Sequence, residues 1–484
     1  MGLKFGTSGV RGLVTDMTDY ECFVYSSAYV EYLKKSGSDT VCIAGDFRSS
    51  TPRIMNAVGF AVKQAGLNLL NLGFVPTPLL AHYARSRSYG AVMVTGSHIP
   101  DDRNGIKFYM PEGEILKTDE QAVSALYADL KKENPPSFFN EAGELLEDID
   151  IGKPLDDAVD FYIKRYVDVF AEDSLKGVRV VFYQHSTVGR EIIPVILEKL
   201  GCEVIKVGWS DSFVPVDTEA VENEQQLAEW VKVHQCDALV SADGDCDRPL
   251  LVDEKGVVIR GDVLGIITSC FLEADFVSTP VSCNTALELC GQFKDIERTK
   301  IGSPYVIESM TNALSAGFSR IVGYEANGGF LTASDFTFKN SRAALAALPT
   351  RDAVLPLLSA LILSQNRGKG LSLLKNELPP RYTVSGIIRE FPTETGKKIV
   401  TVLMERGLEF INNIFGQTFG KCIDLNTTDG CRMTFEDGGI LHFRPSGNAP
   451  EFRIYTEYST QEQAQRQNEK GRDFVLEVLK PMFK

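Results

Sequence analysis

None of the ten cysteines, at positions 22, 42, 202, 236, 246, 270, 283, 290, 422 and 431, forms a C-x-x-C pair. A structural zinc site or a thioredoxin-like redox centre therefore has no support. Most of these cysteines sit in apolar strings such as VCIAG and read as small core residues, which fits a reducing cytoplasm better than a disulfide scaffold. No apolar run reaches the ~20 residues that a membrane span needs. The longest, AVLPLLSALILS from Ala353, has twelve residues and contains a proline. The opening MGLKFGTSGV has no apolar h-region, so no signal peptide is expected, and Gly6 stands where N-myristoylation wants Ser or Thr. Positive charge is in deficit too: 50 Lys and Arg against 65 Asp and Glu leave −15. Non-specific binding to nucleic acid or to an anionic membrane is not expected, because the force that drives it would be repulsive overall.

What is present is an ordinary globular composition, 44% apolar and 24% charged. At ~150 residues per domain, 484 residues suggest three or four domains. Residues 41–73, VCIAGDFRSSTPRIMNAVGFAVKQAGLNLLNLG, read as strand, turn, amphipathic helix, glycine stop and strand. Residues 178–208, VRVVFYQHSTVGREIIPVILEKLGCEVIKVG, repeat that grammar, and Gly66–Gly73 and Gly201–Gly208 keep the same spacing. A weaker echo runs over 281–302. Such alternation predicts βαβ units with mainly parallel sheets, either duplicated or merely alike. Polar segments at 131–157, 252–262 and 364–381 read as boundaries, and 381–484, with short strands, a DGG turn and a closing helix, reads as α+β. The domains expected are 1–150, 151–256, 257–372 and 373–484.

Four loops carry chemistry. In VTGSHIPDDRNGIKFY (94–109) an apolar strand runs into a glycine that bares Ser97, with His98, Arg103 and Lys107 nearby to supply charge or protons. Ser97 there fits an exposed nucleophile, a phosphate carrier or a helix N-cap. In SADGDCDRPLLVD (241–253), Asp243, Asp245 and Asp247 alternate, so their carboxylates can converge on a hard cation while Cys246 points away. An all-oxygen set favours magnesium over zinc. An EF-hand is not expected, since Arg248 and Pro249 follow where that loop wants glycine. In IVGYEANGGFLT (321–332), Glu325 and Asn327 can bond sugar hydroxyls, although Gly-Asn loops are also common turns. In HFRPSGNAPEFRIY (442–455), Arg444, the Ser446 hydroxyl, the Gly447 N–H and the Asn448 amide form a set of donors suited to a phosphate.

Together with FGTSGVRG at 5–12, these loops resemble the α-D-phosphohexomutases, the phosphomannomutase and phosphoglucomutase superfamily, in order and over the whole chain. The resemblance implies three related α/β domains with mixed sheets and a C-terminal α+β domain around a central cleft. It implies that Ser97 carries a phosphoryl group, that Mg2+ binds Ser97, Asp243, Asp245 and Asp247, and that a sugar 1,6-bisphosphate is both intermediate and activator. Arg11, Lys107 and Arg248 would neutralise charge or handle protons. Arg444, Ser446, Gly447 and Asn448 would hold the unreacting phosphate, Glu325 and Asn327 would read hydroxyls, and Gly302 and Ser303 of RTKIGSPYV would lie near the sugar. The expected activity is that of a cytoplasmic phosphomannomutase, acting also on glucose phosphates, as a monomer or homodimer. A phosphoglucosamine mutase and a phosphatase using the same serine and metal are the rivals. A non-catalytic sensor is disfavoured by the retained Ser97 and aspartates. Gly329 stands where many members have a histidine acting as general acid or base; His98 or Lys107 would then take the proton, or the rate suffers. Asn327 for Ser, Asn448-Ala449 for Thr-Glu and the added Tyr324 also depart from the pattern, and they bear on sugar choice more than on reaction type.

Overall fold

The apolar string Thr40–Gly45 is buried along its whole length, as a strand with both faces covered must be. It pairs in parallel with Asn68–Phe74 on one side and Gly90–Val94 on the other, and Gly90–Val94 then pairs antiparallel with Arg103–Met110. The computed structural model describes residues 3–6, 9–132, 136–339, 341–446 and 450–483. The same wiring recurs twice. Arg179–His185 lies between Glu203–Trp209 and Ala238–Ala242, with Pro249–Asp253 antiparallel beyond. Phe276–Pro280 lies between Asp295–Thr299 and Ile321–Tyr324, with Phe330–Thr332 antiparallel beyond. The three domains are therefore related α/β units with mixed sheets.

The helix after the first strand is Thr51–Gln64 in the first unit, Ile192–Lys199 in the second and only Ala286–Leu289 in the third. That shortening is why the third echo is faint in sequence. All three helices stop at a left-handed glycine, Gly66, Gly201 and Gly291, at φ 75°, 92° and 63°. The last unit differs: strands Tyr382–Ile388, Phe452–Tyr458, Ile440–Pro445, Cys431–Phe435 and Cys422–Asn426 lie side by side in that order, all antiparallel. Helices Thr393–Phe419 and Gln461–Phe474 pack on this sheet.

One apolar core runs through the first three units, and the last has its own. The long apolar run becomes helix Val354–Arg367, packed on helix Gly261–Phe271. No helix among the described residues is long and apolar enough to cross a membrane. The ten cysteines are free thiols, eight of them buried, as the apolar contexts required. The later part of the acidic segment, 149–155, packs on the first unit: Leu155 N–H donates to the Asn71 carbonyl (2.9 Å), and Ile149 and Ile151 cover Gly59.

His442, on strand Ile440–Pro445, is buried and places Nε2 2.6 Å from the Asp429 carbonyl, while Nδ1 has no hydrogen-bond partner among the described residues. Burial pushes its pKa down to about 4 from 6.5. The folded state thus refuses a proton that the unfolded chain accepts, so this stability is complete above pH 6.5 and is lost as pH falls toward 4, by about 3 kcal/mol in full. His442→Gln is expected to flatten the acid side of the thermal-midpoint profile between pH 6.5 and 4; an unchanged slope would refute it.

Candidate active site

The shared wiring sets three loops at equivalent places, each joining the last parallel strand of its sheet to the antiparallel one: 95–102, 243–248 and 325–329. Each reverses through a left-handed residue: Ser97 at φ 58°, Cys246 at 60° and Gly328 at 86°. For Ser97 and Cys246 that conformation costs roughly 1–2 kcal/mol, so the surroundings must impose it.

At Ser97 they do. The Ser97 N–H donates to Thr95 Oγ1 (2.7 Å), which donates to buried Asp46 (2.7 Å). Arg48, buried beside Asp46, donates to the carbonyls of Ser97 (2.9 Å), Pro100 (2.6 Å) and Arg103 (3.0 Å), so one guanidinium sets the loop. Its other face meets the Phe213 ring at 3.9 Å. No motif pointed to Arg48, which lies in the polar turn GDFRSS. Arg48→Met would leave the Asp46 carboxylate in the interior without its counter-charge, and about 3–5 kcal/mol of stability should go with it. A thermal midpoint equal to wild type would contradict this.

No helix follows Ser97, so the N-cap reading fails, and the side chain is buried rather than bared. Its Oγ donates to Asp243 Oδ2 at 2.7 Å and stands 3.3 Å from His98 Nδ1. The Asp243 loop of the second unit thus closes over the serine of the first. Arg103 is exposed and contributes only its backbone.

Asp243, Asp245 and Asp247 converge, with one oxygen of each within 4.8 Å of the others. Cys246, between them, turns its sulfur toward Gly189, away from the ligands. Each carboxylate is clamped by one oxygen. Asp243 Oδ1 accepts the N–H groups of Asp247 and Arg248 (both 3.1 Å). Asp245 Oδ2 accepts from Lys107 Nζ (2.6 Å) and Thr77 Oγ1 (2.7 Å). Asp247 Oδ2 accepts from Lys107 Nζ (2.8 Å) and Arg351 Nε (3.1 Å). The opposite oxygens, Asp245 Oδ1 and Asp247 Oδ1, are buried without a hydrogen bond among the described residues, Asp243 Oδ2 faces Ser97, and Arg248 Nε stands 3.7 Å from Asp247 Oδ1 and 3.8 Å from Asp243 Oδ2. Three bare or serine-facing carboxylate oxygens beside a hydroxyl fit a hard divalent cation. Burial and the two neighbouring carboxylates hold Asp243 well above the usual range. Burial also works against Asp247, but Arg351, Lys107 and Arg248 overcome it and keep Asp247 low. Burial, with Arg248 and Arg351 close by, lowers Arg11 to about 10. His98 is driven well below 6.5 by burial and then by Arg248 and Arg11, so it is neutral at pH 7.

In the third loop Glu325 and Asn327 are both buried. Asn327 Oδ1 accepts the Gly329 N–H (2.9 Å). Glu325 Oε2 accepts from Arg351 Nη1 (3.0 Å). Arg351 was also missed; it lies on strand Leu348–Asp352, far in sequence from both partners.

Gly302, at φ 132°, caps helix Ser303–Ser315. Ser303 is not a free donor here: its hydroxyl goes to Glu114 of the first unit (2.8 Å). Arg444 Nε donates to Asp429 Oδ1 (3.0 Å), whose Oδ2 accepts the Ile301 N–H (2.9 Å), so Asp429 joins strand Ile440–Pro445 to the loop at Gly302. Ser446 is buried at the strand end. Gly447 and Asn448 lie outside the described residues.

Residues 2–134, 160–256 and 261–382 match the family models described as phosphoglucomutase/phosphomannomutase alpha/beta/alpha domains I, II and III. A phosphomannomutase of Sinorhizobium fredii is 42% identical, over 94% of this chain and 95% of that one. A phosphomannomutase of Salmonella muenchen is 41% identical, over 96% and 93%. The crystal structure of a phosphoglucomutase/phosphomannomutase family protein from Burkholderia thailandensis superposes with a TM-score of 0.74 at 19% identity, covering 99% of this chain and 98% of that one, which is a likeness of fold. Identity above 40% over nearly the full length, on three matching domain models, means that the chain belongs to the phosphoglucomutase/phosphomannomutase family.

Proposed function

We propose that this protein is a phosphohexomutase of the isomerase class that interconverts hexose 6-phosphate and hexose 1-phosphate, with mannose preferred and glucose also accepted. The observation that carries this is Ser97 Oγ, held 2.7 Å from Asp243 beside two buried carboxylate oxygens that accept no hydrogen bond among the described residues. A sensor would have no use for a sealed serine next to a cation site. Ser97 carries a phosphoryl group, passes it to the free hydroxyl of the hexose monophosphate, and takes back the other phosphoryl of the resulting 1,6-bisphosphate after the sugar turns round. The same bisphosphate serves as activator by loading Ser97.

Asp243, Asp245, Asp247 and the phosphorylated Ser97 would hold Mg2+, which supplies charge neutralisation and alignment at the phosphoryl group. Arg11, Lys107 and Arg248 face the same point and offset its charge. Lys107 Nζ is engaged by two carboxylates, whereas His98 Nδ1 stands 3.3 Å from Ser97 Oγ, so His98 is the better placed proton acceptor in the absence of a histidine at 329. Glu325 and Asn327 bind sugar hydroxyls, with Gly302 and Ser303 at the edge of the sugar. Arg444, aimed by Asp429, holds the phosphate that is not reacting, with Ser446, Gly447 and Asn448 beside it. Burial of Ser97 keeps water from the phosphoserine, which separates a mutase from a phosphatase.

The test is phosphorus NMR of the purified protein with magnesium and a trace of hexose 1,6-bisphosphate. Mannose 1-phosphate, glucose 1-phosphate and glucosamine 1-phosphate go in separate tubes. A 6-phosphate signal should grow fastest with mannose. Fastest conversion of the amino sugar would name a phosphoglucosamine mutase, and growth of free phosphate alone would name a phosphatase.

A further inference from the structure

Gly329 has no room for a side chain. A Cβ there would stand 2.5 Å from Arg351 Cδ and 2.6 Å from Arg351 Cγ, so the aliphatic stem of Arg351 lies across the bare glycine. From that position the buried guanidinium reaches two loops at once. Nε and Nη2 meet Asp247 Oδ2 (3.1 and 3.0 Å), and Nη1 meets Glu325 Oε2 (3.0 Å). Both Arg351 and its partners are removed from water, so neither contact is a solvent-screened surface pair. The group cannot give up its proton, so it does not serve as an acid or base. Its planar fork can engage two carboxylates that a point charge could not hold together.

We infer that Arg351 is a positioning residue that couples the sugar-reading carboxylate Glu325 to the cation loop through Asp247, in space opened by Gly329. It pins Asp247 by Oδ2, which leaves Oδ1 for the cation, and it fixes the Glu325 oxygen that faces it, which sets where the other can meet a hydroxyl. Its positive charge also opposes the cation it helps to frame. This rests on Glu325 meeting the sugar.

Two variants separate these effects. Arg351→Met keeps a stem over Gly329 and removes charge and fork. Its KM for hexose 1-phosphate should rise roughly tenfold or more, as when one member of a buried charge pair is removed. Its Mg2+ affinity, read by titration calorimetry on the protein without sugar, should become several-fold tighter, because a nearby positive charge has gone. Arg351→Lys keeps the charge but cannot span both carboxylates, so Mg2+ affinity should stay at the wild-type value while KM still rises. Opposite movement of metal and sugar is what a merely structural residue would not produce. The inference is overturned if Arg351→Met changes neither quantity, or weakens both alongside a lower thermal midpoint. Should Arg351→Met not fold, an unchanged KM in Arg351→Lys overturns it instead. Glu325→Gln keeps the failures apart: a normal KM there would sink the sugar reading of Glu325, while the calorimetric result for Arg351→Met still decides the link to the cation loop.

Discussion

Ser97→Ala is expected to take no phosphoryl group from hexose 1,6-bisphosphate and to lose turnover by on the order of 10⁴-fold or more, the scale on which removal of a nucleophile acts. The hydroxyl is the only group lost. The alanine keeps the left-handed backbone at 97, which Arg48 and Thr95 impose through the carbonyl and the N–H of that residue. The fold should therefore survive, short of one hydrogen bond to Asp243 worth about 1–3 kcal/mol when a buried acceptor is left open. Ser97→Gly should be equally inactive but more stable than Ser97→Ala, since glycine relieves the roughly 1–2 kcal/mol left-handed penalty. Intact mass after exposure to the bisphosphate, steady-state rates and thermal midpoints measure all three points. Full activity in Ser97→Ala would end the phosphoserine mechanism.

Ser97, the aspartate triad and Glu325 were legible because each lies in a short loop at the end of an apolar strand, where a handful of adjacent letters carries the chemistry. The repeat was legible because the order strand, helix, glycine stop, strand recurs with the same spacing from Gly66 to Gly73 and from Gly201 to Gly208. Its third copy was faint because a four-residue helix, Ala286–Leu289, leaves almost no periodicity to read. What could not be read was anything set by pairing across sheets. Arg48 sits 49 residues before the serine it supports, and Arg351 sits 104 after the aspartate it binds. Neither belongs to a motif; each looks like a polar residue at a strand end until the sheets bring it into the interior. Burial of Ser97 was missed for the same reason: a glycine before it does open the turn, but the loop that closes over it comes from another domain. The hydroxyl of Ser303 was out of reach of sequence reasoning in the same way, since its partner is Glu114, 189 residues earlier. The absence of a histidine at 329 could be read directly, but not what fills the space.

Asp245→Asn should weaken Mg2+ binding by about 10²-fold and lower kcat by roughly 10³-fold while leaving the protein folded. Asparagine keeps an oxygen where Lys107 Nζ and Thr77 Oγ1 now donate (2.6 and 2.7 Å), so the contacts that tie this loop to the first domain persist. What goes is one negative charge from a set of three and the bare Oδ1. Magnesium demands close to octahedral oxygen geometry and gives up water reluctantly, so a site with one fewer charged ligand holds it poorly. Asp245→Ala removes the acceptor as well, leaves Lys107 with Asp247 alone, and should cost stability on top of affinity. The difference between the two variants isolates charge from packing. Calorimetric titration with Mg2+ alone reads the first term, and the thermal midpoint without metal reads the second. If Asp245→Asn bound Mg2+ as tightly as wild type, the bare oxygens would not be metal ligands. Their lack of partners would then need another explanation, such as space kept for the phosphoryl group on Ser97.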